Sequence, residues 1–209
     1  MSGSPLIDSV THRFHDWLGT GGAAHVTGNS AQRIVANYSN PASGGAYTAG
    51  DNIGNSATAG SVIPITFTIG RNSGRITGCR CVVTPASGNL VTTALDFELL
   101  LFRPETSIPY AVGGYPADNA AHVLTAAAYR EKVAAFRFSS SAWRSTDGTT
   151  TAATTTAYQS VALNSTRILA AFNTSGLTQT LVGVIQVLGA WTPGAVVNRF
   201  DFALDTDLD

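Results

Sequence analysis

Residues 76–104, ITGCRCVVTPASGNLVTTALDFELLLFRP, decide the fold class. Leu95, Phe97, Leu99 and Leu101 alternate onto one face of the second half. Asp96 and Glu98 take the other face, which turns apolar again at Leu100 and Phe102. A period of two is the mark of a strand with one side in a core. The apolar switch at its end implies burial on both sides, in the middle of a sandwich or at a subunit contact. In the first half, Cys79 and Cys81 stand two apart and share a face. Neighbours on one strand are badly placed for a disulfide, and no second Cys/His pair of metal-binding spacing accompanies them. They read as two small buried hydrophobes.

The same alternation predicts strands at 62–69, 75–84, 94–103, 132–138, 155–163, 167–173, 180–189 and 197–205. Turns rich in Gly, Asn, Ser and Pro separate them, such as 70–74 and 173–176. A short helical turn is expected near 125–131, capped by Thr125. No β-α-β alternation occurs, which excludes a doubly wound parallel sheet. The pattern predicts an all-β fold, an antiparallel two-sheet jelly-roll-like sandwich with a short N-terminal amphipathic helix and an extended arm. The Ser/Thr-rich run at 139–156 reads as an exposed loop, an interaction loop if Trp143 anchors it.

Upstream, Ser4 and Pro5 open a helix as N-cap and first-turn residue. Leu6, Ile7, Val10, Phe14, Trp17 and Leu18 then form one apolar stripe, and Gly19 stops it. A helix of about fourteen residues is marginal alone in water and must dock on something. Leu6, Val10, Phe14 and Trp17, with Trp143, are therefore the candidate partner-binding residues. Residues 19–61 are dominated by Gly, Ala, Ser and Asn and read as an arm, with one short strand near Arg33–Tyr38. The expected division is an N-terminal helix and arm over 1–46 and a sandwich body over 47–209. Deleting 1–45 would then leave a folded body.

Only 12% of the 209 residues are charged, against 44% hydrophobic, and the net charge is −1. This lacks the basic footprint of a nucleic-acid binder. No apolar run reaches membrane-spanning length, and MSGSPLIDSV has no signal-peptide pattern. A poorly charged surface suits contact with other protein surfaces.

Residues capable of chemistry are few. His12, His15 and Asp16 lack zinc-protease spacing, and His25 is isolated. Asp118, Asn119 and His122 share one loop, with Asp118 and His122 the only hydrolase candidates, but no nucleophile elbow accompanies them. Asp96 and Glu98 share a strand face, as any i, i+2 carboxylates do, so a glycosidase pair is poorly supported. Gly50–Gly54 lacks the phosphate-loop pattern. Asp201, Asp205, Asp207 and Asp209 read as a solvated acidic tail. The expectation is a protein that is no enzyme and holds no cofactor and no metal.

From residue 47 onward the chain resembles the jelly-roll decoration, or cement, proteins of tailed-bacteriophage heads. The likeness runs through Tyr47-Thr-Ala-Gly-Asp-Asn-Ile-Gly54, Arg71 with the glycines before Ile76, and Leu99–Phe102 followed by Pro104. It continues through Asp118-Asn119-Ala120 and Leu124-Thr125-Ala126 to a last strand near Asp209. The N-terminal helix and the Thr-rich loop depart from that pattern. The resemblance implies a structural virion protein on the exterior of the head, made in the host cytoplasm. Its partner would be the major capsid protein, and it would bridge capsomers as a homotrimer or a dimer. A carbohydrate-binding or tail-fibre module is the alternative, with Trp143, Tyr110, Tyr115 and Trp191 as stacking platforms.

Overall fold

Strands of alternating burial pair edge to edge into two antiparallel sheets, packed face to face. The structure, a computed structural model, describes residues 30–41, 45–58, 61–69, 74–86, 90–91, 95–103, 115–126, 130, 132–145, 153–154, 156–168, 179–194 and 196–208. In chain order the strands are β1 (Ser30–Ser39), β2 (Asn52–Ile53), β3 (Ile65–Ile69), β4 (Gly74–Pro85), β5 (Leu90–Val91) and β6 (Phe97–Phe102). There follow β7 (Lys132–Phe138), β8 (Arg144–Ser145), β9 (Ala153–Thr154), β10 (Ala157–Ile168), β11 (Gln179–Val187) and β12 (Asn198–Leu208).

One sheet runs β1-β12-β4-β10-β8. The other runs β2-β11-β6-β7, with β3 beside β2 along the same edge of β11. Counting only the eight long strands, the orders are first-eighth-third-sixth and second-seventh-fourth-fifth. This is the interlocked double Greek key of a jelly roll. The expected fold class is therefore the observed one; the expected N-terminal helix lies outside the described residues.

The core sits between the sheets. Ile65, Phe67 and Ile69 of β3, Phe97, Leu99 and Leu101 of β6, and Phe136 and Phe138 of β7 face Cys79, Cys81 and Val83 of β4 and Phe200, Phe202 and Leu204 of β12. Phe97 is its hub. Its ring stacks on Phe138 at 5.0 Å and meets Phe200 and Phe202 edge-on at 5.8 and 6.3 Å. Such pairs add directional attraction to apolar burial. Both cysteines are buried and free, and burial pushes their thiols well above the ordinary range.

Leu100 and Phe102 point out of the opposite side of β6 and are buried all the same. With Val184 they form a second small cluster, packed against Tyr115, Leu124 and Ala135. The apolar switch is thus covered within the chain by the segment that joins β6 to β7, and a subunit contact is not needed to explain it.

Three sequence expectations need correction. Ser30–Ser39 is a strand paired over its whole length with β12, from Ser30↔Leu208 to Ser39↔Arg199. Part of the expected arm is thus a strand of the body sheet, and a cut at residue 45 would remove it. Ile34, Ala36 and Tyr38 supply the alternation, diluted in sequence by Gly- and Ser-rich flanks. The two strands expected at 155–163 and 167–173 are one strand as far as Ile168, because Leu163-Asn-Ser165 is a bulge between Ala162 and Thr166. The acidic residues at 201–207 are no tail, and Asp209 lies outside the described residues. Asp201, Asp205 and Asp207 lie on β12 between β1 and β4, on the face opposite Phe200, Phe202 and Leu204. The helical turn expected at 125–131 falls largely outside the described residues.

Candidate functional site

The sequence blocks 47–54 and 118–122 meet at one edge of the sandwich. Thr48–Asp51 is a tight turn: Asp51 N–H donates to the Thr48 carbonyl at 3.1 Å, and the Asp51 carboxylate accepts from Thr48 N–H and Oγ1. Gly50 takes φ 96°, where a side chain would be strained. The chain then pairs briefly with β11 as β2, burying Ile53. Gly54 follows, and a Cβ there would stand 2.9 Å from the Asp118 backbone nitrogen.

The 115–122 segment is laced onto this run by its main chain. Asn52 and Ala120, Asn119 and Asn52, Asp118 and Ser56, and His122 and Gly50 are joined by N–H to carbonyl bonds of 2.7–2.9 Å. Asn119 turns the chain at φ 59°, a conformation its short amide tolerates. Asp118 itself is buried. Its carboxylate accepts from the Tyr47 hydroxyl at 2.8 and 2.9 Å and from Gly54 N–H at 2.8 Å.

Tyr47 is the pivot. Its backbone exchanges hydrogen bonds with Trp191 at 2.7 and 3.1 Å, and its ring stacks on the Trp191 indole at 5.2 Å. The Asn40 amide donates to its hydroxyl at 3.2 Å, while the Asn40 carbonyl oxygen accepts from Asn198 N–H at 2.8 Å. One buried polar chain thus links the end of β1, the turn into β2, the segment before β7 and the start of β12. Each marked position of Tyr47-x-x-Gly-Asp-x-Ile-Gly54 has a role in it: stack and hydroxyl, positive φ, turn cap, core contact and close approach.

The carboxylate of Asp118 and the ring of His122 are both turned inward. The Asp118 carboxylate is engaged by buried donors. Burial lowers the His122 pKa to about 4, so its ring is neutral near pH 7. Among the described residues, no group of three or more His, Cys, Asp or Glu is placed to hold a metal ion. Asp96 is taken up by Arg137, which grips it through Nε and Nη2 at 3.2 and 2.9 Å. Asp201 and Asp205 pair with Arg199 and Arg33 on the open face of the sheet. Among the described residues, no helix is long and apolar enough to cross a membrane.

The candidate partner-binding residues divide. Leu6, Val10, Phe14 and Trp17 lie outside the described residues, as do His12, His15, Asp16 and His25. Trp143 is a core residue: buried, packed on Phe97 and Phe138, and donating its indole N–H to the Leu95 carbonyl at 2.8 Å. Its ring is turned into the core and offers no face to a ligand. Trp191 is buried against Tyr47 in the same way. Two of the four rings considered as carbohydrate platforms are therefore closed off; Tyr115 is half-buried and Tyr110 is outside the described residues. Sequence reading missed Tyr47–Asp118 as a linked pair. The signal was present in an acidic residue beside Asn119 at a turn and a Tyr before Gly-Asp, but a partner 71 residues away is not legible from local spacing.

A comparison with protein-family models finds no match for this chain, and neither does a comparison with curated protein sequences.

Proposed function

We propose that this protein is a structural virion component, a decoration protein on the outer surface of a tailed-phage head. In this reading the jelly-roll body stabilises the shell by bridging capsomers and neighbouring subunits, as a homotrimer or a dimer. The observation that carries the reading is the closed polar junction at Tyr47 and Asp118. Among the described residues, Tyr47, Gly54 and Asp118, which carry part of the resemblance, hold separate segments in register, and the Asp118 carboxylate is spent on that task. The sparse charge and the jelly-roll strand order support the same reading. Many modest contacts repeated over a shell add by avidity, so a strong single site is not required.

The test is made on particles. Antibody against the purified chain should label the exterior of intact heads, and cryo-microscopy should show jelly-roll density above the capsid floor. Particles from a strain lacking the protein should release their genome at lower temperature. If purified particles contain none of the protein, the proposal is wrong.

A further inference from the structure

The two sheets have four lateral edges, and among the described residues three carry a device against further strand pairing. β8 is two residues long, and β10 beyond it is bulged between Ala162 and Thr166. β7 carries exposed Lys132 and Arg137, and its ladder shifts register at Phe102. The β2/β3 edge is broken between Ile53 and Ile65, with Pro64 directly before β3. Short strands, bulges, cationic side chains and proline are how native sheets blunt their edges.

β1 has only one of these, the cationic Arg33, which pairs with Asp205 on its neighbour β12. It is ten residues long, SAQRIVANYS, without Pro or Lys, and keeps an unbroken register with β12. Among the described residues it pairs only with β12. Half of its N–H and C=O groups point away from that partner. At its centre stands Val35, 71% exposed and the most exposed of the large hydrophobics described.

We infer that β1 is a homotypic docking edge, which pairs antiparallel with β1 of a second copy about a two-fold axis at Val35. The strand is self-complementary in that register. Val35 meets the second copy's Val35, Arg33 meets Asn37, Ile34 meets Ala36, and Ala31 meets Ser39. The strand's single charge therefore never faces its own kind, which in a cross-strand pair would be destabilising. Because Val35 neighbours Ala203 on β12, the contact also joins two small apolar strips into one across the axis. The result is a continuous ten-strand sheet, five strands from each copy, with an isologous, closed interface.

The experiment uses the full chain and does not depend on the capsid reading, since it concerns the protein free in solution. Sedimentation should give a dimer. Val35→Lys sets like charges opposite each other and should shift the mass to monomer, with circular dichroism unchanged and the concentration dependence of the melting temperature lost. Register is read separately by spin labels on Val35→Cys or Ser39→Cys, because Cys79 and Cys81 are buried in the folded chain. Labels at 35 should be in short-range contact across the axis. Labels at 39 should be separated by about 27 Å, eight residues at about 3.4 Å each. A monomeric or trimeric wild-type chain overturns the inference, as it would if residues 1–29 or another protein cover the strand. So does a dimer indifferent to Val35→Lys, or labels at 35 that lie far apart. A dimer that never binds heads would sink the decoration reading and leave this one standing.

Discussion

Asp118 shows how much one side chain can hold. Its carboxylate satisfies the Tyr47 hydroxyl and the Gly54 N–H, both away from water. Asp118→Ala leaves two buried donors without that acceptor and should cost about 2–4 kcal/mol in urea unfolding, whereas Asp118→Asn keeps one acceptor oxygen and should cost less. His122 gives a pH signature. Its folded-state pKa is depressed to about 4, while the unfolded chain titrates near the ordinary value of about 6.5. Between those values the unfolded state binds a proton that the folded state refuses. Stability is therefore full above about pH 6.5 and falls as pH drops toward 4, by roughly 2–3 kcal/mol. The urea midpoint of His122→Gln should lack that part of the decline. The residues of this junction were legible as types and turns. Their partnership was not, because it depends on which strands the topology lays side by side.

At the scale of elements, β11 is set by what it lacks. Gly183 faces the core where Phe67, Leu99 and Ile65 crowd in, and an added Cβ would stand 3.0–3.3 Å from their side chains. Gly183→Ala should destabilise by about 1–3 kcal/mol through overpacking, despite the better strand propensity of Ala, as differential calorimetry would show. Strands with a Phe or Ile at every second position, such as β3, β7 and β12, could be read directly from the sequence, because one buried face imposes that alternation. β1 was only half legible, since its outward residues Arg33, Val35 and Asn37 dilute the pattern and its flanks resemble a linker. β10 was divided in two because Asn164 and Ser165 are turn residues in most settings, and a bulge uses the same chemistry without ending the strand.

For the whole molecule, the boundary expected after residue 46 would cut β1 away from the sheet it pairs into. Removing residues 1–45 should unfold the sandwich, because β1 and Asn40 are lost, whereas a truncation that starts at Ser30 keeps both. Thermal melts of the two truncations would separate these outcomes. In the proposed role, the shorter truncation should also lose binding to heads. The position of β12 has one more consequence, a kinetic one. It leaves the ribosome after both β1 and β4, yet it lies between them and pairs with both. Until it arrives, β1 has no place in the sheet and β4 lacks one neighbour. At about 5–20 residues per second, the nascent chain waits roughly 10–30 s between finishing β1 and starting β12. Throughout that interval the Phe-rich inner faces lack their closing strand, so this chain should engage holding chaperones during synthesis and fold only after release.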